Sequence, residues 1–220
     1  ALSGRFSRMA SAVEHSPVLP NLLDGSTVTL GALLGTGGFA KVYVASIDLG
    51  RHGGTRPVAF KRLHEEIKSA GGGAVRTLAN ELAVQSKVDA HPNIVKVLGA
   101  VDDPRVGLGL ILELAAFGTL FARLQDSRRD LPWNERFNIL LDVAAGVQAL
   151  HGHLPESIVH SDLKSPNVLL CDAGDGSVVA KVSDFGLAGT VKNTSQMVSK
   201  SGVGTINWSA PEVFKEHCEW

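Results

Sequence analysis

Asp162 and Asn167 sit in Ile158-Val159-His160-Ser161-Asp162-Leu163-Lys164-Ser165-Pro166-Asn167-Val168-Leu169-Leu170, and Asp184 sits in Lys181-Val182-Ser183-Asp184-Phe185-Gly186-Leu187-Ala188. Two oxygen ligands of this kind can hold Mg²⁺, which keeps much of its shell as water and phosphate oxygens. A third carboxylate can orient a hydroxyl nucleophile. The plain alternative is that Asp162 and Asn167 cap turns and Asp184 opens a loop. Three further signals argue against it. Gly35-Thr36-Gly37-Gly38-Phe39-Ala40-Lys41-Val42-Tyr43 is a turn whose glycines let a backbone approach phosphates with no Cβ in the way. Lys61, in Val58-Ala59-Phe60-Lys61, and Glu81, on the next helical stretch, are each solvated residues when taken alone; paired, they could hold nucleotide phosphates in place. Gly204-Thr205-Ile206-Asn207-Trp208-Ser209-Ala210-Pro211-Glu212 is the last.

These residues need elements to carry them. From Thr27 to Ile47 the chain is rich in Val, Leu, Phe and Tyr and is interrupted by the glycine turn, which reads as two strands. Pro57–Lys61 reads as a third strand, and residues 94–101 and 106–114 as two more, giving an antiparallel sheet of about five. A helix is expected over 74–89, with an apolar stripe of Val75, Leu78, Leu82 and Val88 in which Gln85 takes an apolar place. After Gly118 the pattern turns helical. A long helix is expected from near Pro132 to about His151, burying Phe137, Leu140, Leu141, Ala144 and Val147. Short strands follow at Ser157–Val159, Asn167–Leu170 and Val178–Val182. Strands first and helices later indicate an α+β fold with two lobes. The glycine turn is neither a Walker A loop, since no Lys-Ser/Thr follows it, nor a Rossmann turn, since it joins two strands.

Composition excludes other classes. Of 220 residues, 44% are hydrophobic and 20% charged, enough apolar material for a packed core. Lys+Arg is 21 and Asp+Glu 22, a net charge of −1 without the basic excess of a nucleic-acid binder. Cys171 and Cys218 cannot staple a domain of this size and suit a reducing compartment. No apolar run of about 18 residues encodes a membrane span, and the first residues lack the apolar core of a signal peptide.

The five segments, in this order, resemble the protein kinase family over about residues 27–214: a glycine-rich loop, a strand Lys, a helix Glu, a His-x-Asp-x-x-x-x-Asn loop, Asp-Phe-Gly and Ala-Pro-Glu. The wording Asp162-Leu163-Lys164-Ser165-Pro166-Asn167, with Trp208 before Ala210-Pro211-Glu212, is most similar to the tyrosine-kinase-like branch, Raf-like and plant or algal kinases, which mostly phosphorylate Ser and Thr. His91-Pro92-Asn93-Ile94-Val95 after the helix fits the same family. The resemblance implies a two-lobed fold: a lead-in over 1–26, an antiparallel β N-lobe and hinge over 27–115, and an incomplete helical C-lobe over 116–220.

It also implies roles. The glycine turn, Leu34, Gly35, Thr36, Gly37, Gly38 and Phe39, would cover the nucleotide. Lys61, held by Glu81, would contact the α- and β-phosphates of ATP. Val42, Ala59 and Leu169 would sandwich adenine. Leu112 matches the gatekeeper, and the backbone of Glu113 and Ala115 would hydrogen-bond adenine, so their side-chain identity should matter less. Asp184 and Asn167 would bind Mg²⁺, Asp162 would accept or orient the substrate hydroxyl, and Lys164 would neutralise the transferred group.

Four departures stand out. Ala40 replaces the third glycine, and Gln85 the apolar residue four after the helix Glu. Ser161 stands where most kinases carry an Arg that pairs with an activation-segment phosphate. Activity is therefore not expected to depend on phosphorylation at Thr190, Thr194, Ser195, Ser199 or Ser201. The chain also stops eight residues after Glu212, before helices that the family goes on to form. It is read as C-terminally truncated, with apolar helix surface left uncovered and little activity of its own. Competing readings are a nucleotide-binding pseudokinase or signalling scaffold, against which the intact Lys61, Asp162, Asn167 and Asp184 speak, and a small-molecule kinase, against which Gly204–Glu212 speaks. The expected partners are ATP and a protein substrate, with no nucleic acid. The expected location is intracellular, or the cytoplasmic face of a membrane if the chain is part of a longer receptor.

Overall fold

The computed structural model describes residues 23–50, 53–64, 73–88, 91–190 and 206–210. They fall into two compact units. One holds the described residues of Ala1–Asp89 with Val95–Ala115, the other those of Ala90–Ile94 with Ala116–Trp220. The lead-in before residue 23, the whole of the segment 191–205 and everything after Ala210 lie outside the described residues. So do Thr194, Ser195, Ser199, Ser201, Thr205 and Glu212.

The first unit is a five-stranded antiparallel sheet: β1 (Val28–Thr36), β2 (Ala40–Asp48), β3 (Thr55–Leu63), β4 (Val97–Asp103) and β5 (Gly107–Leu112), in spatial order β1-β2-β3-β5-β4. Side chains along a strand alternate between faces, so register decides what each face carries. Ala45 pairs with Val58, and Phe60 with Ile111. With Val28, Ile47, Val101 and Val106 these form a dry cluster on one face. The opposite face carries the other parity: Val42 opposite Lys61, Lys61 opposite Leu110, and Ala59 opposite Leu112. Four residues assigned to nucleotide contact thus share one sheet face. Helix α1 (Gly73–Val88) packs on β4 and β5 and buries Leu78, Leu82 and Val88. Val75 is half-buried.

The second unit holds α2 (Leu120–Gln125), α3 (Trp133–His151) and two two-stranded sheets: β6 (Ile158–Val159) with β9 (Gly189–Thr190), and β7 (Val168–Asp172) with β8 (Val178–Val182). Thr119 caps α2 by accepting from the Ala122 amide at 3.1 Å. Pro132 is the N-cap of α3, one place before its first turn.

The expected buried stripe of α3 is corrected. Phe137, Leu140 and Leu141 are 59%, 62% and 68% exposed, and Ala144 is also exposed. The buried positions are Ile139, Gly146 and Leu150, and Ile139 packs with Leu131, Val168, Leu170 and Ala180. The docking partner of α3 is β8. Asp142 accepts from the Ala180 amide at 2.8 Å. A Cβ on Gly146 would lie 2.7 Å from the Asn93 carbonyl oxygen and 3.1 Å from Val182 Cγ2, so this turn of the helix can sit there only without a side chain. Asn93 fastens the same region, donating from Nδ2 to the Ala180 carbonyl at 3.0 Å and accepting from the Val182 amide at 2.9 Å. Among the described residues, no helix is long and apolar enough to cross a membrane.

Candidate active site

In the first unit, Lys61 Nζ meets Glu81 Oε2 at 2.6 Å, and Glu81 is 1% exposed. Lys61 can reach it because β3 lies at the centre of the sheet, next to β5. Gly109 on β5 permits that closeness: a Cβ there would fall 2.3 Å from the Lys61 carbonyl oxygen and 2.7 Å from Phe60 Cε2. Gln85, one turn after Glu81 on α1, is fully buried. Its Nε2 donates to the Val95 carbonyl at 3.0 Å, while its Oε1 has no partner. The polar residue on the apolar stripe is thus a tether between α1 and the segment entering β4. Its orphaned oxygen costs about 1–3 kcal/mol.

The glycine turn joins β1 to β2. Gly37 donates from its amide to the Ala40 carbonyl at 2.8 Å, the His64 amide donates to the Phe39 carbonyl at 3.1 Å, and His64 Nε2 lies 2.9 Å from the Gly37 carbonyl. Ala40 is itself buried at the start of β2. Leu34 and Phe39 are exposed, as are Gly35 and Thr36. A Cβ at Gly35 or Gly38 would meet no protein atom within 4 Å, and at Gly37 only the Ala40 carbonyl at 3.5 Å. Nothing in the fold itself therefore demands glycine there. Leu112 is buried at the end of β5, and Glu113 and Ala115 follow it, half-buried.

In the second unit, the loop between β6 and β7 draws three of the expected residues together. Lys164 Nζ lies 2.8 Å from Asp162 Oδ2, and Asn167 Nδ2 donates to the same oxygen at 3.0 Å and to the Asp162 carbonyl at 2.9 Å. Asp162 Oδ1 is buried and has no partner. Because Asn167 turns its amide nitrogen toward Asp162, its Oδ1 is the atom left to meet a cation. Asp184 follows β8 and stands at φ +66°, as Ser161 stands at φ +64°. Both are non-glycine residues in the left-handed region, a conformation that surrounding structure must hold. Leu169 lies on β7 opposite Lys181.

Ser183 and His160 are the site residues that spacing alone did not single out. Ser183 donates from its amide and from its hydroxyl to the Asn167 carbonyl, each at 2.9 Å. Its own carbonyl receives His160 Nε2 at 2.9 Å, and the Asp162 amide donates to His160 Nδ1 at 3.2 Å. These partners assign His160 as the neutral Nε2–H tautomer. One serine thus couples Asn167 to His160 and stands next to Asp184. The only signal for it in the sequence is its place beside Asp-Phe-Gly. The His160 ring also packs against Phe185, which is fully buried, with ring centroids 5.1 Å apart and planes tilted by 52°.

Burial holds the His160 pKa below its ordinary 6.5, against the opposing pull of the Ser183 carbonyl, Asp184 and Asp162. The unfolded chain therefore binds a proton that the folded one refuses. Stability is full above pH 6.5 and falls as pH drops from there toward the lowered folded value. Asp24, Asp103, Asp126 and Asp175 are held below 3.8 by local hydrogen bonds and act in a separate, more acidic window. Melting temperatures taken between about pH 5 and 8 should show a decline on the acid side, and His160→Gln should flatten it. A wild-type profile that is flat below 6.5 would contradict the buried neutral assignment.

Among the described residues, no group of three or more His, Cys, Asp or Glu forms a metal cage. The donor set fits a hard ion that takes two protein oxygens, from Asn167 and Asp184, and fills its shell with water and phosphate.

Comparison with known proteins gives the family. The protein kinase domain model matches residues 28–219. The probable serine/threonine-protein kinase SIS8 of Arabidopsis thaliana is 35% identical over 86% of this chain and 17% of its own length. Serine/threonine-protein kinase CTR1 from the same plant is 37% identical over 83% of this chain and 21% of its own. The serine/threonine-protein kinase-like protein CCR4, also of Arabidopsis thaliana, is 34% identical over 83% and 24%. The chain thus spans less than a quarter of the length of these relatives. With its five-stranded antiparallel sheet, its Lys61–Glu81 pair and the Asp162, Lys164 and Asn167 cluster beside Asp184, it belongs to the protein kinase family.

Proposed function

We propose that the chain is the catalytic part of a serine/threonine protein kinase, transferring the γ-phosphoryl group of ATP to Ser and Thr hydroxyls of protein substrates. The observation that carries this reading is the asymmetry of Asp162. One carboxylate oxygen is fixed by Lys164 and Asn167, while the other is buried and has no partner. A buried unpaired acceptor is costly unless a ligand satisfies it, and a substrate hydroxyl is the donor it suits.

From the first unit, Lys61, fixed by Glu81, offers a positive charge to the α- and β-phosphates. The open glycine turn offers backbone with no side chains above it. Val42, Ala59 and Leu112 offer an apolar sheet face for adenine. From the second unit, Asp162 Oδ1 would orient the hydroxyl and accept its proton, and Lys164 would meet the charge on the transferred group. Asn167 and Asp184 would hold Mg²⁺. When bound, the ion supplies positive charge against the phosphate oxygens. The names of the related kinases support Ser and Thr as acceptors.

The test is transfer from γ-labelled ATP to a protein mixture, followed by phosphoamino-acid analysis. Label on serine and threonine is expected. Mg·ATP binding with no transfer would favour a nucleotide-binding scaffold, and label on tyrosine alone would contradict the assigned acceptor.

A further inference from the structure

Packing does little to hold the glycine turn. Leu34 and Phe39 are 55% and 50% exposed, and a Cβ at Gly35 or Gly38 would meet no protein atom within 4 Å. The shape of the turn therefore rests on hydrogen bonds, and two of them come from one residue. His64 is the first residue after β3, three places beyond Lys61. The β2–β3 ladder pairs Ala40 with Leu63, so Phe39 and His64 stand opposite each other one step further on. The His64 amide donates there, to the Phe39 carbonyl at 3.1 Å. Its ring reaches on to Gly37, with Nε2 2.9 Å from the carbonyl oxygen. A carbonyl oxygen only accepts, so the ring carries its hydrogen on Nε2. The Gly37 amide is engaged as well, donating to the Ala40 carbonyl at 2.8 Å. Both main-chain polar groups of Gly37 are thus held within the protein, one of them by a side chain.

We infer that the His64 side chain is a positioning residue for phosphate binding: its Nε2–H bond to the Gly37 carbonyl fastens the glycine turn to the strand that carries Lys61, so that turn and Lys61 keep one register before a nucleotide arrives. This rests on the ATP reading above, in which the turn covers the phosphates that Lys61 meets. Glycines leave an untied turn many conformations. Apparent affinity for a ligand that needs the turn in place follows the fraction of molecules that hold it there. A nucleoside without phosphates has nothing for the turn to cover, so its affinity should not depend on the bond.

A glutamine side chain reaches about as far as the histidine Nε2 and also ends in a donor, so His64→Gln can remake the bond. Leucine fills similar space without a donor, so His64→Leu cannot.

The experiment measures binding of Mg·ATP and of adenosine, which lacks the phosphates, to the 220-residue chain and to both variants. His64→Leu should weaken Mg·ATP binding by roughly tenfold, the weight of one hydrogen bond. It should bind adenosine as the wild type does, which also shows that the variant is folded. His64→Gln should restore most of the Mg·ATP affinity. A leucine variant that binds Mg·ATP like wild type, or that loses Mg·ATP and adenosine equally, would overturn the inference while leaving the ATP reading intact. So would a glutamine variant that behaves like leucine. A wild type that does not bind Mg·ATP would overturn the ATP reading and the inference together.

Discussion

Asp162→Asn is expected to lower turnover by about 10²–10⁴-fold, the usual weight of a general base, with the fold retained at some cost in stability. Lys164 Nζ and Asn167 Nδ2 both present donors to Oδ2. The asparagine oxygen must therefore settle in that position, because the reverse orientation would set a donor against two donors. Its NH₂ then falls where Oδ1 is now buried without a partner, and the substrate hydroxyl meets a donor instead of an acceptor. The variant is nearly isosteric and keeps both hydrogen bonds but gives up the negative charge paired with Lys164, so its melting temperature should fall while its fold is retained. Initial rates and thermal melts of the two proteins, taken together, check this. A variant with near-wild-type turnover would remove Asp162 from the proton-accepting role.

Lys61→Met should cost stability and nucleotide binding at once, by separable routes. Glu81 is almost completely buried, and Lys61 is its partner at 2.6 Å. Removing Lys61 takes the cation from a buried carboxylate charge, a loss of about 3–5 kcal/mol. Replacing both members by apolar residues of similar volume leaves no such charge. The Lys61→Met/Glu81→Leu double variant should therefore regain much of the lost stability. It should not regain Mg·ATP binding, because no cation remains to meet the phosphates. Denaturant unfolding of the single and double variants, with nucleotide titration of each, separates the two routes. If the double variant bound Mg·ATP as tightly as wild type, the phosphate-holding role of Lys61 would be lost.

The first unit was largely legible from residue types. Alternating Val, Ala and Phe around one glycine turn lead to a sheet with two distinct faces, and the register then brings Val42, Ala59, Lys61 and Leu112 onto one of them. The helix carrying Glu81 was equally plain, since Leu78, Leu82 and Val88 repeat at helical spacing and all are buried. The stripe on α3 was not. Apolar residues at 137, 140, 141 and 144 and those at 139, 143, 146 and 150 both follow helical spacing, so periodicity offers two faces and cannot choose. The choice is made by partners distant in sequence: β8 and the Asn93 carbonyl, which admit Gly146 and no larger residue. At the site, the chemistry-bearing side chains were recognisable by type and order. The bonds that orient them were not, because they run through main-chain atoms. The Ser183 carbonyl on His160, the Asn167 carbonyl on Ser183 and the Lys96 amide on Glu113 have no signature in a string of residues.

The most direct test of the account is thermal melting of the chain with and without Mg·ATP, alongside Lys61→Met and Asp184→Asn. Wild type should melt at a higher temperature with Mg·ATP than without, and each variant should lose that difference whatever its own starting point. If Mg·ATP leaves the wild-type melt unmoved, or raises all three proteins equally, then neither Lys61 nor Asp184 holds the nucleotide and the proposed phosphoryl transfer has no basis in this chain.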